Sequence, residues 1–277
     1  MDLSFFVGTR LGVIAQRARE LRMLTSLALR SPEELGNFAN NMMTDMLLER
    51  LCRSGATFID VGAHVGSVID GVRRHSRPGK IIAFEAVPAK AEALRSKFPD
   101  VEVHGCAVGD ADGLLPFFVD VKNPGYSSLF QDGTRGGQFQ EISVPVRRLD
   151  DLIDDKDVDL IKIDVEGAEL GVLRGAGSLM KRSRPTISFE SGPEELGGHS
   201  KSAMWAWLDA AEYAILIPNR LAHYDVGLSH DTFLDSHMYP RRTTHYFAVA
   251  RERRAEIRAR ARAILKLDRD LETGSSV

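Results

Sequence analysis

The chain is short of the features that would set it apart from ordinary globular enzymes. Its 277 residues include only two cysteines, Cys52 and Cys106. Neither metal-ligand spacing nor a disulfide framework is available, so zinc modules and stapled secreted domains are excluded and a reducing, cytoplasmic setting is expected. No apolar run approaches the roughly 20 residues that span a bilayer. At the start, Phe5, Phe6 and Val7 are soon interrupted by Arg10. That stretch lacks the basic opening and long apolar core of a secretion signal, and leaves open only a weak contact with a membrane surface. An excess of one charge is missing too: a formal net charge of −3 removes the basis for bulk electrostatic binding to nucleic acid. No Gly-x-Ser-x-Gly elbow occurs, which leaves hydrolase chemistry without support. What remains, with 43% hydrophobic residues, is enough for one large α/β domain with extensions.

The most informative stretch is Thr57-Phe58-Ile59-Asp60-Val61-Gly62-Ala63-His64-Val65-Gly66. An apolar run carries an acid near its end and breaks into a glycine-bounded loop. A second apolar run, Lys80-Ile81-Ile82-Ala83-Phe84-Glu85, ends in a second acid. This order describes the nucleotide-binding edge of a doubly wound sheet, with Glu85 placed to grip ribose hydroxyls. A pyrophosphate binder reads G-x-G-x-x-G, whereas here His64 stands at the middle glycine and obstructs a diphosphate. Asp60, leading into the loop, suits a cationic or amino-bearing ligand. S-adenosylmethionine (SAM) meets these conditions, and the loop favours it over NAD.

Along the chain, Leu11, Ile14, Ala18, Leu21, Thr25 and Ala28 recur at helical spacing within residues 9–30, with Arg17, Arg19, Arg22 and Arg30 on other faces. Ser31-Pro32-Glu33-Glu34 predicts a capping box, followed by a helix with Leu35, Phe38, Met42, Met46 and Leu47 or Leu51 along one stripe. From residue 57 the pattern alternates strand and helix, which implies parallel strands with crossover helices. Strands are expected near 57–61, 80–85, 101–106, 160–164, 186–190 and 214–217, with a last strand over 245–250. Helices are expected near 66–76 and 89–98. Residues 114–119 and 142–146 read as a strand pair around a Gly-rich loop at 122–138, and loops of that length are commonly functional. Residues 251–266 hold seven Arg or Lys against two Glu on a helix with Ile257, Ala261, Ile264 and Leu265 on one side. A solvated outer face is the simplest reading of those arginines. These divisions give a helical extension over 1–54, a catalytic domain over 55–250 and a basic helix and tail over 251–277.

Three acids are expected to converge above the sheet. Asp164 ends the run Leu160-Ile161-Lys162-Ile163-Asp164, Glu166 follows in the turn before Gly167, and Glu190 closes Ile187-Ser188-Phe189-Glu190. Asp164 and Glu190, with or without Glu166, could hold Mg²⁺ or supply a general base. Mutual repulsion would raise one carboxyl's pKa. Asp164 or Glu166 could instead cap the next helix. Among the histidines, His64 shapes the cofactor loop, while His199, His223 and His230 lie where acceptor-binding loops belong. Cys106 lies near the expected adenine position as a small buried residue.

Several of these segments, taken in order, resemble one family. Phe58 to Gly66, Ala83-Phe84-Glu85, Ala107-Val108-Gly109-Asp110, Ser127-Ser128-Leu129 and Val146-x-x-Leu149-Asp150-Asp151-Leu152 come first. Leu160 to Glu169, followed by Val172-Leu173-Arg174-Gly175-Ala176, completes the series. Together they resemble the FkbM-type SAM-dependent methyltransferases over about residues 55–192. The resemblance implies a Rossmann-like class I fold with a mostly parallel sheet, an antiparallel last strand and N-terminal helices. It implies O-methylation of a hydroxyl on a sugar, glycolipid, polysaccharide or polyketide-type product. It implies cofactor contacts at Asp60, Gly62, Ala63, His64, Gly66, Glu85, Ala107 and Asp164, and chemistry near Asp164 and Glu166. One departure is Glu85-Ala86-Val87-Pro88, where the family more often has proline directly after the acid. The competing readings are an NAD-dependent oxidoreductase on the same fold and a non-catalytic SAM-binding scaffold, the latter partnering or self-associating through the terminal helices. A nucleic-acid methyltransferase ranks lower, because the Asn/Asp-Pro-Pro-aromatic signature is missing at the fourth strand.

Overall fold

Apolar runs that read as continuous rather than alternating become strands buried on both faces. In the computed structural model, which describes residues 10–120, 139–192 and 200–267, every residue of β1 (Thr57–Val61) is buried. Strands β2 (Lys80–Phe84) and β3 (Glu102–His104) extend the sheet on one side in parallel. One short strand and two long ones, β4 (Ala107–Val108), β5 (Gly113–Asp120) and β6 (Phe139–Arg147), form a separate three-stranded sheet. The main sheet resumes with β7 (Val158–Ile163) and β8 (Thr186–Glu190), both parallel to β1. It closes with β9 (Tyr213–Leu216) and β10 (His245–Ala250), the latter antiparallel to both neighbours. The order across the sheet is β3-β2-β1-β7-β8-β10-β9. Counted within this sheet it runs third, second, first, fourth, fifth, seventh, sixth, and the antiparallel last strand is the one expected from the sequence.

Helices cover both faces, as parallel sheets require. The N-terminal pair is α1 (Arg10–Arg30) and α2 (Leu35–Leu51). Crossovers α3 (Ser67–His75) and α4 (Pro88–Lys97) follow β1 and β2. Next come α5 (Leu149–Leu152), α6 (Glu169–Gly175), α7 (Gly177–Ser183), α8 (Lys201–Ala210), α9 (His230–Asp235) and α10 (Arg254–Leu265). Alternate residues of each strand feed two cores. Ile59, Val61, Ile161 and Ile163 pack on one face with Leu170, Leu173 and Phe189. Phe58, Ile81 and Leu160 pack on the other with Leu47, Leu51, Ile257 and Ala261, so α2 and α10 share one core with the sheet. At about 25 cal/mol per Å² of apolar surface, a fully buried Leu or Phe such as these contributes on the order of 2 kcal/mol. Among the described residues no helix is long and apolar enough to cross a membrane.

Four local expectations are corrected. Ser31 makes no side-chain cap; Pro32–Glu34 form a 3-10 turn, and the helix proper starts at Leu35. The buried face of α2 is Asn40, Thr44, Leu47, Leu48 and Leu51, with Met46 exposed, because Asn40 turns inward to bond Arg242 O at 2.8 Å and Asn219 N at 3.1 Å. The expected third strand splits, since after His104 the chain leaves the main sheet and Ala107–Val108 pair with β6. The arginines of the C-terminal helix are not simply solvated. Arg253 and Arg260 each reach buried Asp159 at 2.7 Å, and Arg254 donates to His223 O and Asp225 O. The Gly-rich segment 122–138, with Tyr126, Ser127 and Ser128, and His199 all lie outside the described residues.

Candidate active site

The carboxyl ends of β1, β2, β7 and β8 meet at one edge, where open α/β sheets place their ligands. Gly62 follows β1 with φ +81°, a conformation only glycine adopts without strain. A Cβ there would lie 1.9 Å from the Asp164 carbonyl oxygen, so the bare backbone is what lets the loop seat against the neighbouring strand. His64 also has positive φ, at +49°. Its N–H donates to Glu85 Oε2 at 2.9 Å, and Val87 N–H donates to Glu85 Oε1 at 2.9 Å. Both oxygens of this buried carboxylate are thereby fixed, and each keeps a lone pair for a hydroxyl donor. Burial raises the Glu85 pKa, opposed by the Val87 and His64 N–H groups and by Lys90.

A cavity opens beside this carboxylate. Its lining combines polar and loop residues, Gly62, His64, Glu85 and Lys90, with apolar Phe84, Cys106, Ala107 and Val108 and the acids Asp164 and Glu166. Phe117 reaches in from the three-stranded sheet. Three of the residues expected at the cofactor stand elsewhere. Asp60 is fully buried beneath the loop, 3.2 Å from Lys162 Nζ. Ala63 is buried and donates its N–H to Phe84 O. Gly66 has φ +76°, and a Cβ there would lie 2.3 Å from the Phe98 ring; it brings α3 close to α4. These three shape the loop from behind, and none of them lines the cavity.

The three acids do converge. One carboxylate oxygen each of Asp164, Glu166 and Glu190 lie within 4.8 Å of one another. Glu166 sits in the tight turn at φ +54° before Gly167 at φ +100°. Neither Asp164 nor Glu166 caps the helix that follows. Instead Glu169, its first residue, accepts from Val165 N at 3.3 Å and Gly167 N at 3.1 Å, and burial pushes its pKa up to about 7. Burial also pushes Glu190 up to about 10, helped by the negative charge of Asp164 and a hydrogen bond to it. Asp164 moves the other way: against the effect of burial, the Lys162 ammonium and the Glu190 hydrogen bond hold it ionised well below the usual carboxylate range. The pair therefore shares one proton at neutral pH.

Lys162 is the organising residue that the sequence reading passed over. It is 8% exposed in the middle of a buried strand. Its Nζ donates to Gly62 O at 2.7 Å and lies 3.2 Å from Asp60 Oδ1 and 3.5 Å from Asp164 Oδ2. A lysine inside an otherwise apolar run was the available signal, since a charge there must be paired. The same ammonium makes the acid cluster a poor fit for a resident Mg²⁺. Its Nζ stands 3.5 Å from Asp164 Oδ2, where it competes with a cation for that carboxylate. His245 was also missed. It stands opposite Glu190 in the antiparallel pairing, with Nδ1 3.4 Å from Asn41 Oδ1, and burial lowers its pKa against the pull of Asp164. His223 is exposed, His230 bonds Ser202 and Asp231, and neither lines the cavity.

The strand order, the glycine loop held against the Asp164 backbone, the anchored Glu85 and the acids along the same edge define a Rossmann-like class I methyltransferase. Within that class the chain belongs to the FkbM methyltransferase family, whose methyltransferase FkbM domain description matches residues 60–215, more than half of the chain. The chain is similar to Methyltransferase 1 of Beauveria bassiana (strain ARSEF 2860), 28% identical over 141 residues, covering 42% of this chain and 57% of that protein. It is also similar to methyltransferase sdnD of Sordaria araneosa, 27% identical over 157 residues, covering 44% and 61%. The chain thus spans less than two thirds of the length of either relative. Among solved structures, the FkbM methyltransferase of Methylobacillus flagellatus KT aligns with a TM-score of 0.45 at 16% identity, covering 85% of this chain and 60% of that one.

Proposed function

We propose that the protein is a SAM-dependent O-methyltransferase acting on a hydroxyl of a sugar, glycolipid, polysaccharide or polyketide-type metabolite. The observation that carries the cofactor half is Glu85, a buried carboxylate held by two backbone N–H groups with acceptor capacity turned to the cavity. Such a group matches the paired hydroxyls of a ribose. Phe84, Ala107 and Val108 offer the apolar wall an adenine ring needs, and His64 rather than a glycine lines the loop where a diphosphate would approach. This favours SAM over NAD. When bound, SAM supplies an already activated methyl group, so the protein's task is positioning more than bond activation.

The carboxylate pair performs that task. Ionised Asp164 accepts a hydrogen bond from the acceptor hydroxyl and fixes its oxygen. Because its pKa is low it is a weak base, and it orients more than it deprotonates. When the methyl group leaves the sulfonium sulfur for the acceptor oxygen, the Asp164–Glu190 pair, which has room for a second proton, would take the hydroxyl proton. Lys162 keeps Asp164 ionised and ties it to the Gly62 loop, so cofactor and acceptor are held by one framework. Two buried, unpaired thiols, Cys52 and Cys106, support a reducing compartment as the setting. The test is transfer of labelled methyl from SAM to a panel of glycosides and hydroxylated natural products, with the product located by NMR. A methyl ether that is lost in Asp164→Asn while SAM binding persists supports the reading. Product methylated on nitrogen or carbon, or none across the panel despite SAM binding, contradicts it.

A further inference from the structure

The described part of the apolar stripe legible in the first helix, from Ala18 to Ala28, does not face the protein. Of its residues, Ala18, Leu21, Thr25 and Ala28 are all exposed, Leu21 at 67%. Leu29, beside Thr25 on the helical wheel, is 80% exposed. The inward side is carried by Glu20, Leu24 and Leu27, which are half-buried; at about 100° per residue Leu24 borders the stripe and Glu20 and Leu27 lie farther round. So α1 has one wide apolar arc, and the body of the protein covers only one edge of it. Its main contacts are with α2 and the 3-10 turn that precedes it.

Charge identifies what the rest of the arc meets. Over residues 10–30 the helix holds Arg10, Arg17, Arg19, Arg22 and Arg30 against Glu20 alone, and Arg19, Arg22 and Arg30 are exposed. Arg22 borders the stripe, with Arg19 and Arg30 farther round the same flank. Leucines flanked by arginines on a helix of about 30 Å, too interrupted to cross a bilayer, match a helix that lies in the headgroup plane of an anionic membrane. A second copy of the chain would bring five arginines against five. Anionic lipid offers the opposite sign.

We propose that the outer face of α1 is a docking surface for anionic lipid, with Leu21, Ala28 and Leu29 entering the acyl boundary and Arg19, Arg22 and Arg30 engaging headgroups. This stands apart from the methyl-transfer reading and survives its failure. The experiment is co-sedimentation of the full chain with vesicles of phosphatidylcholine alone or mixed with phosphatidylglycerol, together with light scattering of the protein by itself. The expected result is binding to the mixed vesicles only, weakened by added salt and lost in Leu21→Glu/Leu29→Glu. Replacing all three arginines by glutamine lowers the vesicle affinity on the order of 100-fold. Because these positions are exposed, the variants keep the wild-type melting temperature and circular dichroism. Absence of binding to anionic vesicles overturns the proposal, as does equal binding by the leucine variant. A dimer in solution that Leu21→Glu/Leu29→Glu dissolves also overturns it, since the face would then belong to a second copy.

Discussion

Replacing Glu190 by glutamine probes the carboxylate pair through stability, independently of any acceptor. In the folded protein, burial, then the charge of Asp164 and the hydrogen bond to it, hold Glu190 protonated far above its ordinary 4.5. An unfolded chain releases that proton near the ordinary value. Between the two pKa values the folded state binds the extra proton, so the Glu190 contribution to stability is whole at low pH and is lost as pH rises. The slope is at most about 1.4 kcal/mol per pH unit. Asp164, held low, adds its opposite dependence only in acid, below the ordinary carboxylate value, and does not disturb this window. Glutamine keeps an N–H donor toward Asp164 at every pH and has no proton to lose. Urea unfolding of both proteins at about pH 6 and about pH 8 should show Glu190→Gln gaining on wild type by roughly 2 kcal/mol between the two conditions. An offset that does not change with pH would refute the shared proton and the role built on it.

Other outcomes follow from single contacts. Gly62→Ala places a Cβ 1.9 Å from Asp164 O at φ +81°, and should lower stability by about 2–4 kcal/mol in chemical denaturation while abolishing cofactor binding. Lys162→Met leaves Asp60 charged and fully buried, with a loss of about 3–5 kcal/mol, most of it recovered in Asp60→Asn/Lys162→Met; equal losses in the single and double variants would contradict the ion pair. Asp159→Ala strands Arg253 and Arg260 at the far end of β7 from Asp164, and should cost about 3 kcal/mol and speed hydrogen exchange in α10 without changing kcat.

The carboxyl edge of the sheet was legible because its strands are buried on both faces and read as apolar runs with an acid at or near the end. Glu85, Asp164 and Glu190 were found that way, and strand order carried them to one place. Asp60 was misplaced because sequence shows an acid beside a loop but not which way it points, and its partner Lys162 lies on β7, with five strands of chain between them. The α1 stripe shows the matching limit of periodicity. A 3.6-residue repeat announces an apolar face without saying what covers it. The pairing of Ala107–Val108 with β6 left no mark, since two residues carry no alternation to read.

The central claim rests on the cavity beside Glu85, and calorimetric titration with SAM and with NAD tests it most directly. The account predicts SAM binding on the order of micromolar affinity, lost in Glu85→Ala, with no heat from NAD. SAM binding unaffected by Glu85→Ala, or tight binding of NAD in its place, would contradict it.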